Sequence, residues 1–273
     1  MTEHPTTVPL RDAATVVLLR DGEQGIEVFL QRRVAQMAFA GGMTVFPGGG
    51  VDPRDADADF SWTGPDVSWW ADHFSATPAL ARSLVAAAVR ETFEECGVLL
   101  ASAGDAGVVG ATTGFAADRA ALVDKSLSLA GFLRQHDLTL RADLLRPLAR
   151  WITPVTEPRR YDTRFFLAAV PDGQTADDAT TEAADVSWLT PAAALRAWES
   201  GEHFLLPPTW TQLRELLAYD TVAAALAAER TIRPFQPEVA SSGAGILGLR
   251  FAGYDDYVAA LADGRLERLR GGS

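Results

Sequence analysis

Apolar side chains return every three or four positions at Val85, Val89, Phe93 and Cys96, which predicts a helix from Pro78 or Ala79 to Cys96. Gly97 follows as a left-handed cap, and Val98-Leu99-Leu100 reads as a strand after it. Upstream, the apolar run Ala13 to Leu19 predicts a strand, Asp21 to Gly25 a turn, and Ile26 to Arg32 a strand that pairs back as a hairpin. Thr44 to Phe46 enters a glycine turn at Pro47-Gly48-Gly49-Gly50. Downstream, helical spacing spans Ala116 to Gln135, and two strands are expected at Leu148 to Pro154 and Arg164 to Val170. Asp172 to Thr181 is a polar connection, Val186 to Leu189 a strand and Pro191 to Glu199 a helix with proline in its first turn. A long alanine- and leucine-rich helix is expected over Pro208 to Glu229, with short strands near Ile232 to Phe235 and Leu247 to Phe251. Strands interleaved with a few helices predict an α/β sandwich in one domain from residue 13 onward, behind a loose leader of residues 1 to 12.

The polar positions of the first helix carry the chemistry. With Glu91 at zero and about 100° per residue, Glu94 and Glu95 fall within roughly 60° on either side of it. Val85, Val89, Thr92, Phe93 and Cys96 cluster opposite. One side is packable and the other is a carboxylate patch. Three like charges in one place repel, and a divalent cation relieves the repulsion. Oxygen ligands of this kind suit Mg²⁺ or Mn²⁺. A solvated acidic face is the plain alternative. Gly48 and Gly49 permit a backbone path that brings carbonyls close to such an ion.

Composition narrows the partners. The 273 residues are 48% hydrophobic and 22% charged, ordinary for a globular protein. A net charge of −12 argues against a nucleic-acid backbone or an anionic membrane as the main partner, yet leaves room for small phosphorylated ligands held by local arginines. Cys96 is the single cysteine, so no intramolecular disulfide forms, which fits a reducing cytoplasm. It falls on the apolar side of the helix and is expected to be buried and chemically quiet. No signal peptide, membrane-spanning run or targeting tail is evident.

The stretch Gly49, Arg90, Glu91, Glu94, Glu95, Gly97 and Val98 resembles the Nudix box, G-x5-E-x7-R-E-U-x-E-E-x-G-U, where U is aliphatic. Thr92 stands where an aliphatic residue is usual, and Arg82 stands at the position of the box's first glutamate. Residues 50 to 89 separate Gly49 from Arg90, so the box carries an insertion of roughly Val51 to Pro78. That insertion is read as a loop with a short helix that folds against the body, its tryptophans Trp62, Trp69 and Trp70 serving as packing anchors. The resemblance implies the Nudix α/β/α fold with a mixed sheet. It also implies a Mg²⁺- or Mn²⁺-dependent pyrophosphohydrolase, with metal on Glu91, Glu94, Glu95 and the Gly48 carbonyl. Glu91 would orient or deprotonate water, and Arg90 would brace the carboxylates. Glu182, in a polar loop before a strand, would supply a late acidic residue, with Asp185 as its substitute. Asp52 is the candidate to restore the missing carboxylate.

Two further likenesses bear on substrate. Arg32, Gly42 and Phe46-Pro47-Gly48-Gly49 partly match the signature of Nudix coenzyme A diphosphatases, although Leu30 and Ala38 depart from it. A closer likeness is to the branch with a long insertion in the box, which includes the nudix-type motif 19 enzymes that cleave coenzyme A and acyl-coenzyme A. Phe46 to Gly49, the Asp-rich start of the insertion, Arg90 to Leu100, Arg159 to Phe166 and Leu206-Pro207-Pro208 carry that likeness. Arg32, Arg159, Arg160 and Arg164 are the expected phosphate clamps, against the alternative of a surface arginine and a basic hairpin end. Three functions stay open: a coenzyme A or acyl-coenzyme A diphosphatase, a pyrophosphatase for ADP-ribose or a dinucleotide, and a Nudix-fold ligand-binding module without turnover.

Overall fold

The computed structural model describes residues 8–34, 40–104, 107–180, 183–239 and 249–260. A hairpin of β1 (Leu10–Gly22) and β2 (Gly25–Arg33) opens the chain, followed by the short strands β3 (Thr44–Val45) and β4 (Gly48–Gly50). The insertion contains a 3-10 turn at Pro53–Ala56, β5 (Ser61–Thr63) and α1 (Val67–Phe74). The acidic helix α2 spans Pro78–Cys96. After it come β6 (Ala101–Ala103), α3 (Ala116–Val123), α4 (Leu129–Gln135), β7 (Leu138–Arg141), β8 (Leu145–Ile152) and β9 (Arg160–Ala169). The last part holds β10 (Ala183–Leu189), α5 (Pro191–Ser200), α6 (Pro207–Leu216), α7 (Val222–Ala227), β11 (Pro234–Phe235), β12 (Glu238–Val239), β13 (Leu249–Arg250) and α8 (Tyr254–Ala259).

The main sheet runs β10-β2-β1-β9-β8-β11, with β3 on β2 and β4 on β1. It is mixed: β1 lies parallel to β9, while β1–β2, β1–β4 and β8–β9 are antiparallel. Alternation along each strand divides the core in two. Ala14, Val16 and Leu18 of β1, with Phe166 and Ala168 of β9, face α1, α2 and α4. Val17, Leu19, Phe165 and Leu167 face α5, α6, α7 and α8. The result is the expected α/β/α sandwich. The insertion belongs to the body: Trp70, Ala71 and Phe74 of α1 are buried in the first core, and β5 pairs with β7 in a small sheet with β6.

Several expectations are corrected. Leu10 to Asp12 belong to β1, paired with Arg160 to Asp162, and are no leader. Val98 to Leu100 are buried but form no strand, because the Gln174 side chain satisfies Leu99 from both sides (N–H to Oε1 2.8 Å, Nε2 to carbonyl 2.9 Å). The helix expected over Ala116 to Gln135 breaks at Lys125 (φ 67°), and Ser128 caps a new one. The long C-terminal helix likewise divides, where Thr221 caps α7 and Asp21 accepts from the Val222 N–H.

Candidate active site

Helix α2 is fixed at both ends. Thr77 accepts from the Leu80 N–H, Pro78 occupies the first turn, and Gly97 closes the helix at φ 73°. Its acidic side is not solvated. Glu91 is 9% and Glu95 4% exposed, because β4 crosses that face. Gly49 lies so close to Glu91 that a Cβ built on it would fall 2.5 Å from Oε1. Glu95 Oε2 accepts from the Gly48 N–H (2.8 Å) and from Gln31 Nε2 of β2 (2.5 Å). Gly48 therefore meets the acidic turn through its N–H, where the sequence pointed to its carbonyl. The opposite side packs as expected: Cys96 is fully buried, its Sγ–H donates to the Thr92 carbonyl, and burial pushes its thiol pKa up.

Arg90 organises the turn. Its Nη1 donates to Glu91 Oε1 (2.7 Å) and Glu94 Oε2 (3.2 Å). Its Nη2 donates to the Gly50 carbonyl (3.0 Å), and Nε and Nη2 grip Asp55 in a two-pronged pair at 2.9 Å each. Burial lifts the Glu91 pKa to about 7, against the pull of Arg90 and with the repulsion of Glu94 added. Burial also raises Glu94, again tempered by Arg90. Asp52 does not reach Arg90. It caps the 3-10 turn, accepting from the Arg54 backbone and side chain, so the insertion's contact with Arg90 comes from Asp55.

Among the described residues, no three His, Cys, Asp or Glu side chains gather closely enough to hold a metal ion as they stand. Glu91 and Glu94 meet at Arg90, while Glu95 turns to Gly48. The donors are all oxygen, and two of the three carboxylates are crowded and desolvated enough to resist ionising. That chemistry fits a hard divalent cation.

Arg90, Glu91, Glu94 and Glu95 of the acidic turn line a cleft of about 1330 Å³. Asp52, Pro53 and Ala56 of the insertion also line it. Arg11, Arg33, Lys125 and Arg159 bring positive charge, and Met43, Phe46, Trp151, Tyr161, Phe165 and Leu206-Pro207-Pro208 bring apolar surface. Of the four expected clamps, Arg159 alone lines it. Arg32 lies on the other side of β2, half exposed, with Asp185 at 4.0 Å, so neither reaches the cleft. Arg160 donates to the Thr153 and Pro154 carbonyls. Arg164 is 1% exposed and paired with Asp12 and Asp162, and burial lowers its pKa. Arg33 was passed over in the sequence. Period two marks it, because Gln31 points at Glu95 and residue 33 shares that face. Glu182 lies outside the described residues.

This geometry agrees with comparisons to known proteins. A family profile described as the NUDT19 Nudix domain matches residues 72–216, just over half of the chain. The chain belongs to the Nudix hydrolase family. It is 29% identical over 206 residues to the "Putative nudix hydrolase 7" of Caenorhabditis elegans (76% of this chain, 60% of that protein). It is 26% identical over 235 residues to the human "Acyl-coenzyme A diphosphatase NUDT19" (73% of this chain, 63% of that protein). The chain thus spans about three-fifths of the length of these two relatives. The crystal structure of a Nudix hydrolase from Alicyclobacillus acidocaldarius superposes with a TM-score of 0.69 at 29% identity, covering 82% of this chain and 98% of that one. No described helix of this Nudix chain is long and apolar enough to cross a membrane.

Proposed function

We propose that this Nudix chain hydrolyses the pyrophosphate bond of a nucleoside diphosphate linked to another moiety, with coenzyme A or acyl-coenzyme A as substrate. The observation that carries the reading is the meeting of the Arg90–Glu95 turn with the Gly48–Gly50 strand in a cleft lined by basic and apolar residues. The diphosphatase name of the human relative supports the choice of substrate.

Glu91, Glu94 and Glu95 would hold Mg²⁺ or Mn²⁺, which when bound neutralises phosphate oxygens and acidifies water. Glu91, held by Arg90 through Oε1, would orient or deprotonate the attacking water. Arg90 keeps the carboxylates of Glu91 and Glu94 in place. Arg159 and Lys125 offer positive charge to the phosphates, and Arg159 is the candidate reader of the 3′-phosphate that distinguishes coenzyme A. Met43, Phe46, Trp151 and Phe165 form a wall that suits the pantetheine or acyl arm.

The test is an incubation with Mg²⁺ and a panel of coenzyme A, its 3′-dephospho form, an acyl-coenzyme A, ADP-ribose and NADH, with products separated and identified. Coenzyme A should yield 3′,5′-ADP and phosphopantetheine about tenfold or more faster than the dephospho form. Arg159→Ala should shrink that preference. Equal rates on the two forms, or ADP-ribose as the far better substrate, would discard the coenzyme A reading.

A further inference from the structure

The insertion replaces the usual short path from the glycine strand to the acidic helix, and its first turn reaches into the site. Asp55 is 3% exposed, and its two oxygens take Nε and Nη2 of Arg90. The backbone is built to present it. Asp52 caps the 3-10 turn, and the Asp52 N–H donates to Asp55 Oδ2 at 2.8 Å, a reciprocal capping box. With two of its nitrogens engaged by Asp55, Arg90 has Nη1 left to bridge Glu91 and Glu94. Arg82, where the box's first glutamate is expected, points the other way. Its Nη2 donates to the Ala58 carbonyl, and its guanidinium lies over the rings of Phe60 and Trp62 (4.8 and 5.5 Å to the centroids). An arginine on α2 thus fastens the insertion, and the insertion returns a carboxylate to the next arginine of interest on the same helix.

We propose that Asp55 is a positioning residue of the active site, holding Arg90 in the orientation that keeps Glu91 and Glu94 together, and that the insertion is therefore part of the site. Without its charge, Arg90 loses the partner that fixes Nε and Nη2, and Nη1 no longer holds the carboxylates of Glu91 and Glu94 together for the cation. The inference rests on the metal-binding reading given above.

The test measures Mn²⁺ affinity by water-proton relaxation, with kcat and KM for coenzyme A alongside, in wild type, Asp55→Asn, Asp55→Glu and Arg82→Gln. Asp55→Asn should weaken Mn²⁺ binding and lower kcat by about tenfold or more, leaving KM within about threefold. Asp55→Glu keeps the charge on a longer stem and should fall between the two. Arg82→Gln loosens the insertion and should lower the melting temperature while Mn²⁺ affinity stays within about twofold of wild type. Wild-type affinity and kcat in folded Asp55→Asn would overturn the assignment. If Asp55→Asn does not fold, wild-type values in Asp55→Glu would do so. A loss in Arg82→Gln as large as in Asp55→Asn would reduce Asp55 to a docking contact. Failure of the wild-type chain to take up Mn²⁺ would sink the metal reading itself, and this assignment with it.

Discussion

Glu91 is 9% exposed, its carboxylate set between Gly49 and Arg90, and it carries a pKa of about 7 where 4.5 is ordinary. The sign of the linked stability follows. Between pH 4.5 and 7 the folded chain holds a proton that the unfolded chain releases, so the contribution is full below 4.5 and is lost as pH rises through 7. In metal-free protein, the unfolding free energy of Glu91→Gln relative to wild type should therefore improve by on the order of 2–3 kcal/mol between pH 4.5 and pH 8. Chemical denaturation at several pH values measures it, and a flat difference would contradict the buried, raised carboxylate. Sequence periodicity puts Glu91, Glu94 and Glu95 on one side of a helix, but it says nothing of what covers that side. Burial of Glu91 and Glu95 arises from β4 and β2, whose residues lie more than forty positions away. Asp55 was missed for the same reason: nothing local distinguishes it from Asp52, Asp57 or Asp59. Arg32, Arg160 and Arg164 were chosen by likeness to a signature, and strand geometry directs each of them elsewhere.

At the scale of elements, α2 was legible because its signals are local: a threonine cap, a proline in the first turn, four-residue apolar spacing and a closing glycine. Breaks between α3 and α4 and between α6 and α7 were not, since helical spacing persists across them and the turn is made by one left-handed residue or by a cap held from β1. β7 also escaped notice, because its pairing partners β5 and β6 lie far away in the chain. The meeting of β4 with α2 is the contact that builds the site, and Gly49 reports on it. Its φ lies outside the left-handed region, so the backbone tolerates alanine. The new methyl would collide with Glu91 Oε1. Gly49→Ala should lower kcat/KM by about tenfold or more, as expected for a displaced reacting group, while its melting temperature stays within a few degrees of wild type. Normal kcat/KM in this variant would mean that Glu91 is free to move without consequence.

Across the whole molecule, the α/β/α sandwich with its mixed sheet could be read from interleaved strands and helices together with the box. The insertion's packing against the body was legible in its tryptophans, and Trp70 is buried in the first core; the pairing of β5 with β7 was not, because those strands lie far apart in the chain. The same holds for the cleft, which gathers residues from Leu10 to Pro237 in a chain of net charge −12 and still presents Arg11, Arg33, Lys125 and Arg159 on its walls. Glu94 is the best reporter of the central claim. It lines the cleft, and its loss leaves Arg90 paired with Asp55 and Glu91, whereas Glu95 also holds the Gly48 N–H. The decisive measurement is a Mg²⁺ titration of coenzyme A cleavage by wild type and Glu94→Gln, each shown to be folded. Wild type should be inactive in excess chelator and saturate with Mg²⁺, and Glu94→Gln should remain at least about a hundredfold slower at every Mg²⁺ concentration. Turnover without a divalent cation, or near-normal turnover by Glu94→Gln at saturating Mg²⁺, would contradict the assignment of the acidic turn as the reaction centre.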